Sequence, residues 1–127
     1  MAGPHPQDLG LAEARALVQR AVDKGEQLGL RGAVAVVGAS GTLITASRMD
    51  AGGPGGMARA RSKAWISATQ QIPSAEHLHR MTSIAPPVAA GFVRASPEAL
   101  FPGAGGLPLS ADGHVCPRQN GHRVSHA

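Results

Sequence analysis

Residues 31–50 read RGAVAVVGASGTLITASRMD, and the reading of this stretch decides the fold. Two apolar runs, 33–37 and 43–46, flank Gly38-Ala39-Ser40-Gly41. Small and β-branched apolar residues bounded by Gly and Ser predict the two strands of a hairpin. The second run ends in Arg48-Met49-Asp50, which places opposite charges where the strand should stop. Gly52-Gly53-Pro54-Gly55-Gly56 then excludes a regular element for several residues. A hairpin with a charged lip beside a glycine-rich loop makes a natural wall for a ligand.

Upstream of the hairpin, Leu11, Ala14, Val18, Ala21, Val22, Gly25 and Leu28 recur on one stripe and predict a helix over 11–28. Gly10 serves as its N-cap, Glu13 favours its first turn, and Gly29 suits the position after its end. Residues 1–8 read as a disordered tail. Downstream, residues 57–71 predict a second helix. Ala60, Ala64, Trp65 and Ala68 lie on one side of it, and Arg59, Lys63, Ser67 and Gln70 on another. Pro73 stops it, and Ser74 is expected to cap a third helix over 75–81. Residues 84–93 carry Pro86 and Pro87 and then an apolar run, a pattern that fixes no conformation. Residues 96–100 suit one helical turn with Pro97 at its first position. The loop 101–108, FPGAGGLP, leads to an expected third strand at 107–109 and a tight turn at Ala111-Asp112-Gly113. Residues 116–127 show neither strand alternation nor a helical stripe, so the expected domain is 9–115.

A chain of 127 residues is one domain, long enough for a core. Aromatic residues are only 2% of it, so the core must be aliphatic. Any stacking platform rests on Trp65, Phe92 or Phe101. The formal charge is +4, but the basic residues are scattered and no aromatics alternate with them, which argues against a nucleic-acid binder. The single cysteine, Cys116, has no internal disulfide partner. Residues 1–7 lack the basic start and apolar core of a signal peptide, and no apolar run reaches bilayer length. A cytoplasmic protein with no membrane partner is the expectation.

Several side chains are candidates for chemistry. Arg48 and Asp50, two apart on a strand, would share a face. They either pin the strand end as a salt bridge or leave Arg48 to hold a carboxylate. Arg59 and Lys63, four apart on a helix, either face solvent or take an anion between them. A desolvated Lys63 would also serve as a base or nucleophile. His77 and His79 point about 200° apart on a helix and cannot share a metal. His77 reads either as an exposed histidine or as a general base or haem ligand, with Met81 on its face. His114, Cys116, His122 and His126 do not make a convincing zinc set, so no metal site is assigned. Gly103, Gly105 and Gly106 offer backbone N–H groups to an anion or simply make a turn. Trp65 and Phe101 either stack on a flat ligand or belong to the core.

LAEARAL at 11–17, VAVVGASGTLITASRMD at 34–50, SKAW at 62–65, and FPGAGGLPL at 101–109 followed by ADG together resemble the GlcG/HbpS family. These are small haem-binding or "haem-degrading" domains, and the C-terminal domain of PduO is similar to them. The resemblance implies an α/β (α+β) domain of profilin-like architecture, an antiparallel sheet covered by helices, assembled as a homo-oligomer. It implies haem, another tetrapyrrole or a small organic anion as ligand, and a lysine is common in the family where Lys63 stands. The alternative is a cofactor-independent lyase or isomerase acting on a small aromatic or hydroxy acid. There Lys63 or His77 would move protons and Arg48 would hold a carboxylate. Two features depart from the family pattern. The family's haem-ligating histidine lies in the first helix, and residues 11–28 hold none. The usual last strand and long final helix are also replaced by residues 116–127. A helix burying about 400 Å² of apolar surface contributes roughly 10 kcal/mol, so the expectation is either that a partner subunit covers the gap or that the chain is divergent or truncated there.

Overall fold

The computed structural model describes residues 9–96 and 103–109. Phe101, the 97–100 turn, the Ala111-Asp112-Gly113 turn and both expected tails lie outside the described residues. The elements are α1 (Leu11–Gln27), β1 (Ala33–Val37), β2 (Leu43–Arg48), α2 (Gly56–Gln70), α3 (Ser74–Thr82) and α4 (Pro86–Ala95). The fold is α+β: among the described residues, a two-stranded antiparallel sheet packs against α1 and α2, while α3 packs on α2 and α4 on α3.

The hairpin forms where the apolar runs predict it. Ala33 pairs with Arg48, Val34 with Ser47, Ala35 with Ala46 and Val36 with Thr45. Between Val36 and Val37 the register shifts, so Val37 faces Leu43. Such a bulge bends the ribbon near its turn. Trp65 of α2 packs against that turn: a Cβ on Gly41, whose φ is +90°, would sit 2.8 Å from the indole Nε1. The turn needs glycine both for its backbone and for this close approach.

α1 runs from the extended N-cap Gly10, with Glu13 in its first turn, to Gly29 at φ +70°. Its buried residues are Ala14, Val18 and Gly25. Leu11 and Leu28, expected on the same stripe, are exposed, because the hairpin is too short to cover the ends of a 17-residue helix. Leu9, Ala14, Val18 and Val36 form the buried cluster, with Val34, Ile44 and Leu109 packed around it. Leu109 thus ties the returning chain to the face shared by α1 and the hairpin.

α2 departs from the expected pattern. Its buried residues are Gly56, Ser62, Ile66 and Ser67. The alanine stripe and Trp65 are only half-buried. Ile66, fully buried, is the plug of this helix, and Ser67 lies inside where a polar surface was expected. Ser74 is likewise not a cap. Pro73 is the N-cap of α3, and Ser74 begins the helix with its side chain fully buried. The ambiguous run after Ile84 is α4, with prolines in its first turn, where a missing N–H costs nothing.

Replacing Ile66 with Ala removes the largest fully buried side chain and should cost about 2–5 kcal/mol of stability. Urea denaturation of the Ile66→Ala variant checks this; a loss below about 1 kcal/mol would show that α2 is not anchored there.

Candidate functional site

A cleft of about 630 Å³ runs between β1 and α2. Every residue from Ala33 to Ala39 lines one wall, and Ala60, Lys63, Ala64, Ala68 and Gln71 line the other. The alanines keep the helix slim on this side, which is why there is space. Gly105, Gly106, Leu107 and Leu109 close the cleft. A second cavity of about 240 Å³ continues it past Lys63 toward Arg31 and the start of α2.

Lys63 is the polar centre of the cleft and lines both cavities. The loop 103–106 wraps its side chain. A Cβ on Gly103 would lie 3.5 Å from its Cδ, and one on Gly105 3.3 Å from its Nζ. Gly106 approaches closer still, because a Cβ there would meet the Lys63 carbonyl at 2.5 Å and the Ser67 hydroxyl at 2.9 Å. Two hydrogen bonds fasten the loop. The Ser74 N–H donates to the Gly106 carbonyl at 2.9 Å, and the Gly106 N–H donates to Ser74 Oγ at 2.8 Å. Lys63 and the glycines Gly103, Gly105 and Gly106, separate candidates in the sequence, thus lie side by side.

The other candidates lie elsewhere. β2 ends at Arg48, and Asp50 falls in the following turn, beside Ala51 at φ 62°. The two therefore do not share a strand face, and both are exposed. Arg48 Nη1 instead donates to the Gly52 carbonyl at 2.9 Å. Arg59 curls over the 52–56 loop, where a Cβ on Gly55 would lie 2.5 Å from its Nη1. Arg48, Asp50, Arg59 and Trp65 line neither cavity.

His77 is not the exposed histidine of the simplest reading. It is 3% exposed, while His79 is exposed. Its ring lies 5.5 Å from that of Phe92 on α4, tilted by 46°. Its Nε2 is buried with no hydrogen-bond partner among the described residues. Burial, and then the nearby Arg80 charge, lower its pKa from the usual 6.5. His77 lines neither cavity. Among the described residues no group of three or more His, Cys, Asp or Glu could hold a metal.

A helix pair around a short antiparallel hairpin, with a small-residue cleft closed by a glycine loop, defines an α+β ligand-binding class. A family model described as "Haem degrading protein HbpS-like" matches residues 9–116, and the chain belongs to that family. Among solved structures, a double mutant of HbpS from Streptomyces reticuli is similar, with a TM-score of 0.72 and 26% identity. That match covers 91% of this chain and 76% of the other. Another HbpS crystal structure matches at a TM-score of 0.62 and 27% identity, over 71% of this chain and 65% of that one. Klebsiella pneumoniae protein ORFY shares the fold at a TM-score of 0.65 and 23% identity, over 91% and 78% of the two chains. No curated protein matches the sequence. Among the described residues no helix is long and apolar enough to cross a membrane.

Two predictions follow from this geometry. Gly106→Ala forces the loop off α2, so its melting temperature should fall and amide exchange at Gly106 and Ser74 should speed up. An unchanged exchange rate at both would refute the close approach. For His77, the lowered pKa means that the unfolded chain binds the proton more readily below about pH 6.5. The stability that neutral His77 contributes is present above that pH and is lost as pH falls toward its folded pKa. A His77→Phe variant should therefore lose less stability than the wild type between about pH 7.5 and about pH 5.5. Parallel slopes in denaturation experiments would count against it.

Proposed function

We propose that this domain binds a small, largely apolar organic anion in the cleft between β1 and α2, with Lys63 as the anion contact. The observation that carries the proposal is Lys63 itself. It is half-buried in a wall of alanines and valines, and no carboxylate lines the cleft among the described residues. A cleft of about 630 Å³ has the size of small-molecule sites. A partly desolvated ammonium in such a wall favours a negatively charged guest.

Family membership suggests haem. The slim apolar walls fit a porphyrin face, and Lys63 fits a propionate. The iron is not served in the same way. Among the described residues the cleft wall contains no His, Cys, Met or Tyr, the side chains that hold haem iron. Met49, in the smaller cavity, is the one such side chain along the path among the described residues, so the larger cleft fits the organic part of the ligand better than the metal. Lyase or isomerase chemistry with Lys63 and His77 on one substrate gains no support, since His77 faces Phe92 rather than the cleft. Self-association is part of the proposal. Ile84, Val88 and Phe92, four apart along α4 and the residues leading into it, leave an exposed apolar stripe.

Titration with hemin and with metal-free protoporphyrin tests the reading. The two should bind with similar affinity, and Lys63→Ala should weaken both about tenfold. Hemin binding about a hundredfold more tightly than the metal-free ring would show that an iron ligand exists. Absence of binding by either would remove the tetrapyrrole.

A further inference from the structure

The cleft and the smaller cavity follow one another along the same two elements. They share Ala21, Ala33, Val34, Ala60 and Lys63 as walls. The smaller one reaches Leu30, Arg31 and Gly32 on the chain entering β1, and Gly56 at the start of α2. The larger one runs the other way, to Ala39 and Gln71. From Lys63 to Gln71 the helix advances about 12 Å.

The charges along this path are not evenly spread. Arg31 and Lys63 are its two cations, one on the smaller cavity and one where the two join. No aspartate or glutamate lines either cavity among the described residues. Beyond Lys63 the walls are Ala64, Ala68, Val36, Val37 and Leu107, with Gln71 at the far end. Arg31 also stands on a fixed corner. Gly32 is at φ 150°, its carbonyl accepts the Met49 N–H at 2.7 Å, and a Cβ on Gly52 would meet that carbonyl at 2.8 Å. Arg31 is thus an exposed residue on the wall of the smaller cavity, next to a corner that packing holds in place.

From this polarity we infer that the ligand is an amphipathic carboxylic acid bound in one orientation. Its acid group lies between Lys63 and Arg31, and its apolar body extends along the alanine wall toward Gln71. The inference rests on the cleft reading above and adds a second binding residue, Arg31, and a direction. Two sources share this chemistry, an acyl chain and a ring system with acids on one edge. Each would turn its acid end toward the smaller cavity.

The test compares each acid with its neutral ester on the full chain by calorimetry: decanoate with methyl decanoate, and protoporphyrin with its dimethyl ester. At least one acid should bind more tightly than its ester. Arg31→Gln should weaken that acid about fivefold, as expected for a solvent-exposed ion pair, and leave the ester unaffected. The loss should shrink at high salt. The acid that shows this pattern identifies the source. Equal affinity for acid and ester, or an Arg31→Gln variant that binds the acid as tightly as wild type while Lys63→Ala does not, overturns the oriented acid pole and leaves the cleft reading standing. Failure of all four probes to bind overturns the cleft reading as well.

Discussion

The contact on which this structure turns is the approach of Gly106 to the backbone of α2 at Lys63. With any side chain at Gly106, a carbon would fall 2.5 Å from the Lys63 carbonyl, well inside van der Waals contact. Glycine lets a loop from far along the chain lie directly on the helix. The paired hydrogen bonds to Ser74 then hold it there from α3. Both are buried, and leaving one of their groups without a partner would cost about 1–3 kcal/mol. One joint therefore fixes three things: the end of α2 against α3, the path of residues 103–109 back to the core at Leu109, and the lid over the lysine. The fold and the site are specified by the same atoms.

Small residues repeat this logic across the molecule. Ala60, Ala64 and Ala68 hold open the wall that a larger side chain would fill. Gly41 lets Trp65 close over the hairpin turn, and Gly52 lets its loop reach Gly32. In a chain with 2% aromatic residues, shape comes less from large side chains interlocking than from backbones brought close together. Ile66 is the exception, and it lies on the opposite side of α2 from Ala64 and Ala68, each two residues away and so turned by about 200°. The helix is anchored by one branched side chain so that its other side can stay slim.

The hairpin, α1 and α2 were legible in the sequence because each carries a periodic signal. Strand pairing follows from two apolar runs around a glycine-rich turn, and α1 from a long stripe with glycine at both ends. The meeting of Lys63 with the 103–106 glycines was not legible locally, since no local pattern joins residues forty apart. The burial of Ser67 and Ser74 was not legible at all. A serine ahead of a helix reads as a cap, and only the arrival of Gly106 turns its hydroxyl into a buried acceptor. Arg48 and Asp50 misled for a related reason: alternation assigns faces only while the strand lasts, and here it ends at Arg48. α4 stayed ambiguous because none of its own residues is buried, and the contact of Phe92 with His77 is not one that a local apolar pattern reveals.

The position of His77 separates the candidate roles. A general base must reach the proton it moves, within hydrogen-bond distance or through one water. His77 is enclosed between α3 and Phe92, and desolvation favours its neutral form. Its Nε2 has no partner in that enclosure, a cost that a purely structural aromatic would avoid. Lys63 stands in the opposite situation, with a charge at an open cleft and a backbone carbonyl beneath Gly106. A proton-transfer pair would need the two facing one space. The loop that encloses Lys63 is fastened at Ser74, the first residue of α3, one helical turn before His77. The histidine thus sits one helical turn from the anchor of that loop, packed against α4 and outside the cleft.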